Sequence, residues 1–187
     1  MQAIIDSAAR GELPSVEIAL VLSSKAGVYA LERAKAAGIK TAVVERKALS
    51  QEEFESRVEQ ILAEENIELI VLAGFMSILS PAFTKKYENR IINVHPSLIP
   101  SFCGKGFYGL KVHEAALSYG VKVTGATVHF VNEIPDGGKI IMQKAVEVEE
   151  GDTPQILQRR VMERAEWKIL PAATEKVAAE ILKERLS

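Results

Sequence analysis

Short apolar runs alternate with stretches of helical periodicity along most of the 187-residue chain. Residues 16–22 (VEIALVL) and 67–73 (IELIVLA) are dominated by apolar side chains, over lengths typical of buried strands. Ser50 with Glu53 three residues later has the spacing of a capping box, which predicts a helix from there to about residue 65. The other segments predicted here are strands at 41–44 and 91–94 and helices at 1–9, 29–37, 81–87 and 110–119. This alternation predicts an α/β protein with three layers: a mostly parallel, Rossmann-like sheet with helices on both faces.

The pattern changes in the last third of the chain. Residues 126–131 and 140–148 have strand character, and the short connection between them predicts an antiparallel pair rather than a crossover. Thr153 and Pro154 supply a cap and a first-turn proline for a helix that extends to Trp167. Pro171 is predicted to break or restart that helix before a helical tail. The whole of residues 1–187 is interpreted as a single domain.

Composition and charge narrow the class of protein. The 25 acidic and 23 basic residues give a net charge of −2, without a basic block, so no nucleic-acid partner is predicted. The longest apolar stretch, residues 69–76, is far too short to span a bilayer, so no membrane partner is predicted. The single cysteine, Cys103, excludes an internal disulfide and fits a reducing compartment. These features predict a cytoplasmic protein.

Candidate chemistry lies at the end of one predicted strand. Asn93 and His95 are two residues apart on that strand, so their side chains point to the same face. They stand at the carboxyl end of a strand in a parallel sheet, where such sheets bind ligands. Asp136 lies beside two glycines in the later connection. An amide and an imidazolium can stabilise an oxyanion, and a carboxylate can accept a proton, so the three residues indicate chemistry at a carbonyl-like carbon.

Other interpretations of the polar residues are weaker. Thr127 and His129 are also two residues apart and lead into the Asp136 connection, but an ordinary polar strand face explains them equally well. The three histidines are far apart in the sequence and have no metal-ligand spacing, so no metal is predicted. Nothing around Cys103 indicates an activated thiol, and it is interpreted as an ordinary loop cysteine.

Three motifs, in this order, resemble the folate-dependent formyltransferases: NVHPSLIP from residue 93, TVHFV from residue 127 and DGG from residue 136. The supporting stretches are LAGFM and ILS at residues 72–80, SSKA at residues 23–26 and AEWKILP at residues 165–171. The resemblance covers essentially the whole chain, and within the family it is nearest to the members that formylate a glycinamide nucleotide in purine synthesis. It implies 10-formyltetrahydrofolate as cosubstrate, small-molecule substrates only, and no metal.

The resemblance also implies a role for each matching residue. Asn93, His95 and Asp136 correspond to the catalytic residues, with Thr127 and His129 in support. Glu166 corresponds to an acidic residue that contacts the ribose of the nucleotide. The residues that correspond to the wall around the folate pterin are Met76, Ser77, Ile78, Leu79, Asn132, Glu133, Ile134 and Pro135. Ser77 stands where some relatives carry an arginine, so no side-chain contact to folate is expected there.

The beginning of the sequence departs from the family pattern. Residues 1–6 (MQAIID) resemble a helix that in the family follows a strand and a Gly-rich turn that binds the nucleotide's phosphate. We therefore expect that a first strand and this phosphate-binding turn are missing, and that the 187-residue chain alone is unstable or weakly active. An upstream extension of about 15 to 20 residues is expected to restore it.

Two alternatives to this function remain open at the level of sequence. One is a truncated, non-catalytic remnant that binds folate. The other is a different folate-dependent enzyme, such as a formyltetrahydrofolate hydrolase or a methionyl-tRNA formyltransferase. Those relatives carry additional regulatory or RNA-binding domains, which 187 residues do not accommodate.

Overall fold

The computed structural model describes residues 1–75 and 77–186 and has the predicted α/β class. Six strands form a two-stranded sheet, β1–β2, and a four-stranded sheet in the order β3–β4–β5–β6. The β1–β2 and β3–β4 pairs are parallel, and the β4–β5 and β5–β6 pairs are antiparallel. The strands are β1 (Leu20–Ser23), β2 (Lys40–Val43), β3 (Ile70–Leu72), β4 (Ile91–His95), β5 (Val123–Phe130) and β6 (Ile140–Glu147). The helices are α1 (Gln2–Ala9), α2 (Tyr29–Ala36), α3 (Gln51–Glu64), α4 (Pro81–Lys86), α5 (Leu110–Tyr119), α6 (Pro154–Val161) and α7 (Trp167–Leu186).

Local capping signals in the sequence are confirmed. The Ser50 side chain accepts a hydrogen bond from the Glu53 N–H, and the Glu53 carboxylate accepts one from the Ser50 N–H, which is the predicted capping box of α3. Thr153 caps α6 through the Ile156 N–H, with Pro154 in the first turn. These helices begin where they do because short-range contacts satisfy their first N–H groups.

Two strands are shorter than predicted. The apolar run at 16–22 contributes only Leu20–Ser23 to a strand, and the run at 67–73 contributes only Ile70–Leu72. A ladder extends only as far as a partner strand, and each of these strands pairs with a short partner segment. The apolar residues outside the ladders, including Val16, Ile18 and Leu69, pack against the main core instead. These residues are apolar because they pack against the core, and not because they belong to a strand.

The C-terminal helical region corrects a prediction. Pro171 does not break the helix: it is buried inside α7, which continues to Leu186. A proline removes one helical hydrogen bond, but the buried face of α7 packs on the core and holds the helix on both sides of it. The interruption comes earlier, where Met162–Glu166 form a π-helical turn between α6 and α7.

The core has two parts, one on each face of the four-stranded sheet. The larger part joins α1, α6 and α7 to β4, β5 and β6, through residues such as Ile92, Val128 and Leu157. The smaller part joins α3 and α4 to β3 and β4, around Leu62, Phe83 and Ile91. In the part of the chain that the structure describes, no helix is long and apolar enough to cross a membrane.

Candidate active site

The antiparallel pairing of β4 and β5 brings four of the predicted site residues together. Asn93 lies directly opposite His129, and His95 lies directly opposite Thr127. Each pair of residues on one strand is two positions apart, so all four side chains lie on the same face of the sheet. His95, Thr127 and His129 are all buried. The register of two strands therefore builds this part of the site.

Asp136 reaches the same place from the connection between β5 and β6. Its Oδ2 lies 3.4 Å from Nδ1 of His95, and its Oδ1 lies 3.5 Å from Nε2 of His129. The backbone at Asp136 is left-handed, with φ of 56°. Gly138 lets the connection pass close to the strand, because a Cβ there would lie 1.7 Å from the Phe130 carbonyl oxygen. The predicted catalytic residues Asn93, His95 and Asp136 thus form one cluster around two imidazoles.

The environment of Asp136 favours its charged form. Burial alone would raise the pKa of this carboxyl group. The contact with His129, a 2.8 Å hydrogen bond from the Gly104 N–H and the charges of the two histidines outweigh burial, so the pKa is lowered below its usual value. Asp136 is therefore a carboxylate near neutral pH.

Both ring nitrogens of His95 face hydrogen-bond acceptors. Nε2 lies 2.8 Å from the carbonyl oxygen of Phe102, and Nδ1 faces the Asp136 carboxylate. A neutral imidazole has only one N–H, so it can satisfy only one of these acceptors. These two contacts fix the orientation of the ring.

His129 lies between Asn93 and Asp136. Its Nδ1 lies 2.7 Å from the Phe130 carbonyl oxygen, which assigns a proton to Nδ1. Its Nε2 lies 3.4 Å from the Asn93 side-chain nitrogen and 3.5 Å from Asp136. As a neutral ring, His129 accepts from the Asn93 amide and fixes the direction of that side chain. As a protonated ring, it donates to Asp136 instead.

Thr127 holds the loop that follows His95. Its hydroxyl donates to the Ser97 carbonyl at 2.7 Å and accepts from the Ile99 N–H at 3.1 Å. Gln143 of β6 donates to the same hydroxyl and to the Ile99 carbonyl, both at 3.0 Å. The sequence analysis missed Gln143. Gln143 could have been found from its position on β6 opposite Thr127. That position is known only once the register of the hairpin and the bulge at Val128 and His129 are known.

A second residue that sequence analysis missed is His113 on α5. Its side chain is fully buried, and neither ring nitrogen has a hydrogen-bond partner among the described residues. Burial, and to a smaller degree the charge of His95, lowers the pKa of His113 to about 4. His113 is therefore a neutral imidazole in the neighbourhood of His95.

The two predicted folate wall segments are both joined to the smaller part of the core. Leu79 and Val131, which directly precedes residues 132–135, pack in the same hydrophobic group. Ile78 is 66% exposed and Ile134 is 59% exposed, so each segment presents an apolar side chain to solvent. Met76, which belongs to the predicted wall, lies outside the described residues.

Glu166 lies apart from these groups, at the end of the π-helical turn. Burial raises the pKa of its carboxyl group to about 7, although the amino group of Met1 acts in the opposite direction. Single π-helical turns occur often at functional sites. The turn was not visible in the sequence, where residues 154–167 read as one regular helix.

The remaining polar groups do not add a reactive centre. Burial and the charge of Asp136 raise the pKa of the Cys103 thiol, and this thiol donates to the Pro100 carbonyl. Cys103 therefore has the opposite of an activated environment. Across residues 1–75 and 77–186, no group of three or more His, Cys, Asp or Glu side chains has the arrangement of a metal site.

The fold and this cluster define a class of protein: an α/β protein with an amide, an imidazole and a carboxylate grouped around the end of a strand, suited to reactions at a carbonyl carbon. The family model described as formyl transferase matches residues 1–174. The chain therefore belongs to the formyl transferase family.

Individual relatives agree with this assignment. The chain is 40% identical over 172 residues to a phosphoribosylglycinamide formyltransferase of Haemophilus influenzae, covering 91% of this chain and 78% of that protein. It is 51% identical over 164 residues to the chicken (Gallus gallus) trifunctional purine biosynthetic protein adenosine-3, but this match covers only 16% of that longer protein. The glycinamide ribonucleotide transformylase 1 of Symbiobacterium toebii superposes with a TM-score of 0.88 at 39% identity, covering 96% of this chain and 82% of that one.

Proposed function

We propose that this chain transfers the formyl group of 10-formyltetrahydrofolate to the amine of 5-phosphoribosylglycinamide, a step of de novo purine biosynthesis. The observation that carries the proposal is the position of His95 between the Phe102 carbonyl and the Asp136 carboxylate. Asn93 lies two residues earlier on β4, with its side chain on the same face. The family of the chain and the names of its relatives support the same reaction.

In the proposed mechanism, the substrate amine attacks the formyl carbon directly, and the formyl oxygen becomes an oxyanion. Two donors stabilise that charge in the proposal: the Asn93 amide and the Nε2–H group of His95. The Nε2–H group must turn from the Phe102 carbonyl oxygen, 2.8 Å away, to reach the formyl oxygen, while Asp136 lies against Nδ1 on the other side of the ring. Donors that are fixed by the fold stabilise a transition state with little reorganisation during the reaction.

The proton of the attacking amine goes to Asp136, directly or through water. Its lowered pKa keeps it ionised and able to accept at neutral pH. When the intermediate collapses, the bond between the formyl carbon and the folate nitrogen breaks, and that nitrogen takes up the proton that Asp136 received from the amine. The products are the formylated amine and tetrahydrofolate, and Asp136 is again a carboxylate. Each step is a proton or acyl transfer, so the proposed chemistry uses no metal and no covalent bond to the protein.

The substrates bind on two sides of the cluster in this proposal. The exposed side chains of Ile78 and Ile134 offer an apolar wall to the flat pterin ring, in segments 76–79 and 132–135. Glu166 binds the ribose of the nucleotide, since its carboxylate can accept hydrogen bonds from hydroxyl groups. The small-molecule substrates and the lack of disulfide chemistry support a cytoplasmic location.

The two sheets support a further proposal, about a strand that would join them. Within the described residues, β1 pairs along one edge with β2, and β3 pairs along one edge with β4. All residues of β1 and β3 are only half-buried. We propose that another strand, outside these 187 residues, pairs between β1 and β3 and brings the phosphate-binding turn with it. The alternative of a non-catalytic folate-binding remnant rests on the same open edges.

The acceptor of the formyl group distinguishes these functions. The purified protein is incubated with 10-formyltetrahydrofolate and either glycinamide ribonucleotide, methionyl-tRNA or buffer alone, and the products are identified by mass spectrometry. We expect a formylated nucleotide in the first reaction only. Formate released in buffer alone would indicate a hydrolase. Folate binding without any product, in both this chain and a form extended upstream, would favour the remnant.

A further inference from the structure

Glu55 is a buried carboxylate outside the catalytic cluster. It lies on the first turns of α3, and only 6% of its surface is exposed. Three neutral groups donate to it: the Ser80 N–H at 2.7 Å, the Ser80 hydroxyl at 2.5 Å and the Gln51 side-chain amide at 2.5 Å. Burying a charge costs several kcal/mol, and well-packed apolar residues often hold two elements together equally well. The need to attach α3 to α4 therefore does not by itself explain why a carboxylate, rather than an apolar side chain, stands at position 55.

Three residues on one face of α3 contact the segment between β3 and α4. Gln51, Phe54 and Glu55 are spaced so that they share a face of the helix. Besides its bond to Glu55, the Gln51 amide donates to the Ile78 carbonyl at 3.1 Å. The Phe54 ring stacks on Phe75, with centroids 6.4 Å apart and planes inclined by 19°. The face thus holds both ends of residues 75–80.

Besides the packing of Leu79 against the smaller part of the core, this segment depends on these contacts for its shape. Residues 77–80 lie between β3 and α4 without regular secondary structure, and the Ile78 side chain is mostly exposed. Because the Ile78 side chain is exposed, the hydrogen bonds of the Ile78 carbonyl and the Ser80 N–H to Gln51 and Glu55 fix the backbone here. Arg46 in turn holds Gln51, because its guanidinium donates to the Gln51 amide oxygen at 2.8 Å and to the Leu49 carbonyl at 2.6 Å.

We infer that Glu55 is a positioning residue for the cosubstrate: its carboxylate, acting through Ser80 and Gln51, fixes the backbone of residues 78–80 and so places the wall against which the pterin packs. This inference rests on the proposed function. Glu55 does not itself touch the substrate; it determines where Ile78 stands.

The test compares Glu55→Gln with a matched control, Glu59→Gln. Glu59 lies one turn further along α3 and pairs with Lys86 of α4 at 2.6 Å, so its loss breaks a contact between the same two helices at the surface. For Glu55→Gln we expect the KM for 10-formyltetrahydrofolate to rise about tenfold, because one charged hydrogen bond is lost. The KM for the nucleotide should change less than about twofold. For Glu59→Gln neither KM should change.

A second variant covers the case in which Glu55→Gln does not fold, as judged by circular dichroism and thermal unfolding. Gln51→Ala removes the bond to Ile78 at a half-buried position and should raise the folate KM about threefold. Titration of tetrahydrofolate by calorimetry gives the same comparison without turnover. If the wild-type protein binds folate but transfers no formyl group, the proposed function is refuted. The role of Glu55 is then still tested by the folate affinities from calorimetry. Unchanged folate affinity in the folded variants, or an equal loss for both substrates, refutes the role of Glu55.

Discussion

At the scale of single residues, the site depends on where protons reside. Asp136 is held ionised, because its contacts with His129 and Gly104 lower its pKa against the effect of burial. His113 is held neutral, because its side chain is buried without a polar partner among the described residues. An ionised carboxylate and a neutral imidazole therefore both lie in the neighbourhood of His95, and the environment of each group sets its protonation state.

His113 gives the folded state a specific sensitivity to acid. Its pKa is about 4 in the folded state and 6.5 in the unfolded chain, so the unfolded state binds the proton more readily. Its contribution to stability is complete above pH 6.5 and is lost as the pH falls towards about 4. The loss amounts to roughly 3 kcal/mol by linkage.

Replacement of His113 by leucine should remove this acid sensitivity. We expect the free energies of unfolding, from urea titrations across this pH range, to fall more steeply for the wild type than for His113→Leu. At neutral pH the variant should be as stable or more stable, because no hydrogen bond is lost. Parallel pH profiles for the two proteins would contradict the assignment of a neutral, buried His113.

At the scale of helices and strands, the main feature is that β1 and β3 each have one edge without a partner strand among residues 1–75 and 77–186. Unpaired strand edges leave N–H and C=O groups without ladder partners, and sheets of this kind normally cover them. The half-buried state of these strands contrasts with β4 and β5, most of whose residues are buried. The proposed additional strand would pair with both edges and join the two sheets into one.

A form of the protein extended upstream by about 15 to 20 residues tests this proposal. We expect its free energy of unfolding to exceed that of the 187-residue chain by several kcal/mol, and its urea m-value to be larger, because more surface is buried on folding. Equal m-values and equal urea midpoints for the two forms would show that no strand is added between β1 and β3.

The elements also show what a sequence can predict. Helix starts such as Ser50 and Thr153 were predictable because caps act within four residues. The antiparallel pairing of β5 and β6 was predictable from their short connection. The limits of β1 and β3, the continuity of α7 through Pro171 and the π-helical turn were not, because each depends on packing between distant segments.

The same division holds for the site. The i, i+2 spacing showed that Asn93 and His95 share a face, but not that His129 stands opposite Asn93, since that requires the register of β4 and β5. Gln143 and Glu55 contact residues far away in the chain, and the burial of His113 depends on tertiary packing, so nothing in their local sequence marks them.

At the scale of the whole molecule, the fold brings the three proposed catalytic groups together from strand β4 and the connection between β5 and β6. Helices on both faces bury the strands of the sheet. The segment after β3 and the connection after β5 are the proposed folate wall. The central claim is that this assembly transfers a formyl group, with Asp136 as the proton acceptor.

The most direct test is the rate of formyl transfer to glycinamide ribonucleotide by Asp136→Asn, beside the wild type and a matched control. Asp152→Asn is that control, because Asp152 is also a half-buried carboxylate with a lowered pKa, but it pairs with Arg160. We predict that Asp136→Asn lowers kcat by about 10² to 10⁴-fold with folate still bound. Asp152→Asn should lose stability and keep its kcat. An Asp136→Asn protein with wild-type kcat would contradict the account.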